Sequence, residues 1–123
     1  MRFLKSLIVI GFWCVFMLTC ANRDSGVGKS FVIAESNSYE ASLFRANCAI
    51  CHGKEAYGKT LDGKPVPSLR FGDSAKKTEE QIYQQIAHGK LPMPSFDKQL
   101  TEKEMRQMAR FVIRDLQGRE VSD

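Results

Sequence analysis

The sequence predicts an all-α domain built from three short helices, and three observations carry that reading. Three segments repeat apolar residues at intervals of three and four, each opens on a Ser or Thr suited to cap a helix, and no stretch makes a convincing strand. In the first segment Ser38 is the expected N-cap, Tyr39, Leu43, Ala46 and Ile50 trace one face, and the helix runs straight into Cys48. The second opens on a capping box from Thr78 to Gln81, places Ile82 and Ile86 four apart, and stops at Gly89. The third opens on a capping box from Thr101 to Glu104 and carries Met105, Met108, Ala109, Val112 and Leu116 along one face up to Gly118. Between His52 and Lys77, Gly53, Gly58, Gly63, Pro65, Pro67 and Gly72 interrupt any periodicity, which predicts a long loop.

The chain has 123 residues, enough for one domain, and its N-terminus reads as an address. Arg2 and Lys5 precede an apolar run from Leu7 to Leu18 that is shorter than the ~20 residues of a membrane span. The run ends at Cys20, which resembles the lipid-accepting cysteine of a bacterial lipoprotein signal, although Met17, Leu18 and Thr19 depart from that family's preferred box. Cleavage at Thr19-Cys20-Ala21 to release a soluble periplasmic protein, or retention as an uncleaved anchor, are the alternatives. All three routes export the rest of the chain. The organisation expected is a signal over 1–19, a lipid-anchored flexible tether over 20–37, a domain over 38–118 and a tail over 119–123.

Loss of Arg2 and Lys5 takes the formal net charge from +4 to +2, with Lys and Arg interleaved among Asp and Glu. Nucleic-acid binding, which wants a basic stripe, is therefore not expected. Three short helices around a long loop bury little surface, so a domain of ~80 residues needs a metal, disulfide or cofactor to supplement its core.

The stretch "RANCAICHGKEA" supplies the chemistry: Cys48, Cys51 and His52. Zinc needs four ligands, and past His52 only His88 remains. A redox dithiol belongs in a strand-to-helix context that is lacking here, and a plain disulfide leaves His52 and the thin core unexplained. Cys-x-x-Cys-His is the signature of covalent haem c attachment. Thiols three apart on a helix end face one side and can bond one porphyrin edge, while the next residue, His52, reaches the iron.

From Ser38 to Gln117 the chain resembles the class I c-type cytochromes. "SLFRANCAICHG" is similar to their first helix with its haem box, "PVPSL" to the loop after the proximal histidine, "GKLPMPSF" to the distal methionine loop, and "LTEKEMRQMARFVIRDL" to the last helix. The resemblance implies a small fold of three or more helices wrapped around one haem c held through Cys48 and Cys51. It also implies that the Pro67 carbonyl orients His52, and that Phe44 packs against Met108 and Phe111 where the first and last helices cross. Glu40 stands where the family has a glycine, which shifts the crossing outward or onto Ala41.

Met93 is the expected second iron ligand, a flexible thioether in a loop stiffened by Pro92 and Pro94. Met105 and Met108 read as core, and His88 as a helix-end cap. Ligation by His52 and Met93 leaves iron no open position, which implies a single-electron carrier rather than an enzyme. The implied partners are redox proteins, namely respiratory complexes or periplasmic reductases, met by a monomer on the outer side of the membrane. Lys54, Lys59, Lys64 and Lys90 are available to steer acidic partners. The alternatives are a haem subunit of a larger oxidase or dehydrogenase, or a haem peroxidase or gas sensor if Met93 is not a ligand.

Overall fold

A computed structural model describes residues 30–121. The export segment and Cys20 lie outside the described residues, and no helix among the described residues is long and apolar enough to cross a membrane. Helix α1 spans Tyr39–Asn47, α2 Ala49–His52, α3 Glu79–His88 and α4 Glu102–Phe111, with one π-helical turn over Val112–Leu116 continuing α4. The three expected caps are in place. Ser38 accepts from the Ala41 amide, and Thr78 and Thr101 each form a complete capping box.

Helix α1 rests against α4, where Phe44 meets Phe111 at 6.3 Å between ring centroids and Ala41 is fully buried. The expected face of α1 is corrected here. Tyr39, Ala46 and Ile50 are exposed and Leu43 is half-buried, while Ala41 and Phe44 do the packing. An apolar repeat of Tyr, Leu, Ala and Ile competes with one led by Phe44, and the larger ring wins the core because it removes more area from water. In α3, Ile82 and Ile86 are buried as expected, and in α4 and its π turn so are Met105, Met108, Ala109, Val112 and Leu116.

Two further expectations are corrected. The loop after His52 contains an antiparallel hairpin, β1 (Lys59–Leu61) with β2 (Lys64–Val66), so the fold is helical with one small sheet rather than all-α. Its turn is Asp62-Gly63, both at positive φ (49° and 75°), the geometry that Asp-Gly favours between paired strands.

Residues 31–36, expected to belong to the tether, are fastened to the domain. Ile33 is fully buried, and Phe31 stacks edge-on against Phe111 at 5.4 Å. Glu55 accepts from the Ile33 and Ala34 amides at 2.8 and 2.9 Å, while Arg45 donates to the carbonyls of Ile33 and Ser36. Arg70, whose side chain is 7% exposed, donates to the Phe31 carbonyl at 2.7 Å and pairs with Glu55 at 3.3 Å. Glu55→Ala therefore leaves two amides without their acceptor and takes the carboxylate from beside the buried Arg70 guanidinium, and is expected to cost about 3 kcal/mol in urea unfolding. Amide exchange at Ile33 and Ala34 should rise with it, and unchanged protection there would contradict the strap.

Tyr39 and Glu104 link the outer ends of α1 and α4. The Tyr39 hydroxyl donates to Glu104, which also accepts from the Thr101 hydroxyl and amide, and these bonds hold the carboxyl down to about 2 from an ordinary value near 4.5. A depressed carboxyl contributes stability above its unfolded pKa and loses it as pH falls through the folded one. Stability should thus decline from about pH 4.5 to about pH 2, and Glu104→Gln should flatten that slope in acid titrations followed by circular dichroism.

Candidate functional site

The first half of the site lies where α1 gives way to α2. Cys48 carries the junction: its amide donates to the Phe44 carbonyl at 2.8 Å, and its own carbonyl accepts from Cys51 and His52 at 3.1 and 2.9 Å. This unbroken ladder sets Cys48 and Cys51 three residues apart on one side of the turn. Both are free, half-buried thiols. Burial pushes the Cys48 thiol up to about 12, with the adjacent Cys51 adding to it, so at neutral pH it is protonated.

His52 ends α2 with its ring buried and Nδ1 3.2 Å from the Pro67 carbonyl. A carbonyl can only accept, so Nδ1 carries the proton and Nε2 a bare lone pair. Burial lowers the imidazole pKa and so favours the neutral ring, and the bond to the Pro67 carbonyl opposes that shift. Nε2 makes no hydrogen bond. Since no buried side-chain nitrogen or oxygen among the described residues lacks a partner, Nε2 opens onto accessible space.

Pro67 reaches His52 because the hairpin turns the chain back over Gly58. The Gly58 amide donates to the His52 carbonyl at 2.8 Å, and a Cβ at Gly58 would lie 2.4 Å from the Val66 carbonyl oxygen and 2.9 Å from Pro67. With φ at +83° as well, only glycine fits there.

Met93 is held from the far end of α3. Lys90 and Met93 exchange backbone hydrogen bonds at 3.0 and 2.9 Å around the two-residue turn Leu91-Pro92. The last carbonyls of α3, which a helix leaves unpaired, are taken by the Phe96 amide on Ile86 at 3.1 Å and the Ser95 hydroxyl on Ala87 at 2.6 Å. Gly89 permits this close return, since a Cβ there would stand 2.6–2.7 Å from the backbone of Met93 to Ser95. The half-buried Met93 sulfur accepts from the Gln85 side-chain amide at 3.8 Å. Sequence reading missed Gln85. It stands in the last turn of α3, eight residues before Met93, and only the folded loop reveals the contact.

The rival ligands are otherwise engaged. His88 is exposed with Nδ1 3.2 Å from the Gln84 carbonyl, and Met105 and Met108 are buried in the core. The structure thus joins His52 to Pro67, sets the two thiols on one turn beside them, and fixes Met93 on a separate rigid loop. Two same-side thiols, a neutral imidazole with an available Nε2, and a second loop carrying a thioether are a donor set that fits a covalently attached haem.

Residues 40–112 match the family described as cytochrome C oxidase, cbb3-type, subunit III. A cytochrome c-553-like protein of Synechocystis sp. is 31% identical over 93 residues, covering 75% of this chain and 80% of the relative. The cbb3-type cytochrome c oxidase subunit FixP of Sinorhizobium medicae is 38% identical over 84 residues, covering 59% of this chain but only 28% of FixP. A solved structure, the KustC0563 c-type cytochrome, shares 28% identity and a TM-score of 0.48 over 58% of this chain and 89% of its own. With the matched family spanning the described helices and the Cys-x-x-Cys-His stretch lying inside it, the chain belongs to the c-type cytochromes, electron-transfer proteins whose cofactor is haem c.

Proposed function

We propose that this cytochrome is a single-electron carrier whose haem c is attached through Cys48 and Cys51 and ligated by His52 and Met93. The observation that carries the reading is the Met93 loop. Two backbone bonds between Lys90 and Met93 close the loop, the Phe96 amide and the Ser95 hydroxyl fasten it to the last carbonyls of α3, and the Gln85 amide fixes the direction of its sulfur. Haem iron supplies one-electron redox chemistry when bound. Pro67 holds the His52 proton on Nδ1, leaving Nε2 to donate, and Gln85 withdraws electron density from the Met93 sulfur. A site closed on both sides excludes water and small oxidants and favours transfer over bond chemistry.

On this reading the domain works on the outer side of the cytoplasmic membrane, exported by the segment over 1–19 and held through a lipid on Cys20, passing electrons between respiratory complexes. A second reading, a haem subunit inside a larger oxidase, is favoured by the match to the cbb3-type subunit III family and to part of FixP. A redox-titrated visible spectrum of the purified holoprotein tests the ligation: low-spin in both states, one one-electron transition, and the weak far-red band of a ferric thioether bond. A high-spin resting form would replace the carrier with a peroxidase or gas sensor. Purification in mild detergent separates the first two readings, since a subunit arrives with its oxidase.

A further inference from the structure

The strap, the segment after His52 and the hairpin meet at a surface that includes none of Cys48, Cys51, His52 and Met93. Tyr57 and Phe71 are 54% and 58% exposed, lie 6.1 Å apart between ring centroids, and make an apolar pair open to solvent. The Arg70 guanidinium stands 4.9 Å from the Tyr57 ring centroid and donates to the Phe31 carbonyl. The aromatic pair therefore sits where the N-terminal segment enters the domain. Lys59 and Lys64 project from the hairpin that starts two residues after Tyr57, Lys54 precedes it, and all three are exposed and in no ion pair among the described residues. The nearby carboxylates are largely spent: Glu55 on Arg70 and Asp73 on Lys76, leaving Asp62 at the hairpin tip.

This surface lies on the Pro67 side of His52. Gly58 abuts Val66 to Ser68, so Tyr57 and the hairpin lie behind Pro67, on the Nδ1 side of the imidazole. Lys90, beside Met93, is remote from the other three lysines in the chain and belongs to the opposite ligand's loop.

We propose that Tyr57, Phe71 and the lysines of the hairpin form a membrane-contact surface that docks the domain on a bilayer bearing anionic headgroups. The proposal rests on the reading of the N-terminal segment as a membrane anchor. Eleven residues, 19–29, separate the apolar run from Ser30, and that length spans at most about 40 Å. The face at which the chain enters is thereby kept within about 40 Å of the bilayer, closer than any face across the domain from it. Aromatic rings with lysines beside them suit the headgroup layer, where the rings bury and the ammonium groups meet phosphate.

The test uses the full-length holoprotein in vesicles of phosphatidylcholine mixed with phosphatidylglycerol. Flotation reports anchoring, and hydroxyl-radical footprinting reports the oxidation of Tyr57 and Phe71 relative to Tyr39, which is 54% exposed and lies on α1. Each lysine near an anionic surface favours contact by about five-fold, so Lys59→Glu/Lys64→Glu should raise the relative oxidation of Tyr57 and Phe71 by at least about five-fold, with an unchanged visible spectrum. Equal ratios in the two floating proteins overturn the proposal while leaving the anchor intact. Protection that appears only after a membrane oxidase is added overturns it in favour of a protein-docking surface. Failure to float removes the anchor reading and the proposal with it.

Discussion

Cys48→Ala/Cys51→Ala is expected to give up its haem completely to acidified acetone, where the wild type keeps it on the polypeptide. The two thiols lie on one side of a turn whose backbone is continuous from Phe44 to His52, so both reach the same edge of a planar cofactor. Removing both leaves only His52 and Met93 to hold haem, and ligand bonds to iron are broken by acid whereas thioethers are not. Stability should fall as well. The buried core is formed by short elements, Phe44, Phe111 and Met108 being among the few large side chains that are almost wholly buried, and a cofactor bound by the folded chain alone adds its binding energy to folding. The thermal midpoint of the double variant is expected to drop by more than about 10 °C, since about 1 kcal/mol moves a domain of this size by 4–8 °C. Colour in the organic phase from the wild type, or an unchanged midpoint in the variant, would remove covalent attachment from the account.

What could be read in the sequence was what neighbours in the chain decide. Ser38, Thr78 and Thr101 cap their helices because the amides they accept from lie three residues on, and Cys48, Cys51 and His52 carry their chemistry within five positions. The hairpin was equally local and went unread: Asp62-Gly63 between Lys59–Leu61 and Lys64–Val66 is a strong turn signal, masked by the glycines and prolines around it. The strap was not legible. Phe31 to Ile33 form too short an apolar cluster to mark an element, and their burial depends on Glu55 and Arg70, some twenty to forty positions away. The same holds at the site. Pro67 entered through family resemblance, Met93 through that resemblance and the prolines on either side of it, and Gln85 only with the folded loop that brings its amide to the Met93 sulfur.

Met93→Ala is expected to change the protein's chemistry more than any other single substitution. Alanine keeps the backbone bonds that fix the loop, Lys90 with 93 and Ser95 with Ala87, so the fold should survive and the effect should be confined to the sulfur. On the proposed ligation, loss of the thioether would leave iron held by His52 alone on the protein side. The reduction potential should then fall on the order of 0.2 V, a part of the ~0.8 V that axial ligands command, because a thioether favours the reduced iron. The ferric protein should become high-spin, lose the far-red band and bind carbon monoxide when reduced, and it should acquire slow peroxidase activity. Gln85→Leu provides the control for a merely structural effect. It removes the 3.8 Å bond to the sulfur while leaving the sulfur in place, and should shift the potential by a smaller amount with the spin state unchanged. A Met93→Ala protein that keeps the wild-type potential, spin state and resistance to carbon monoxide would show that another side chain closes the site. The exposed His88, one turn from Gln84, would then be the first to test, by His88→Ala.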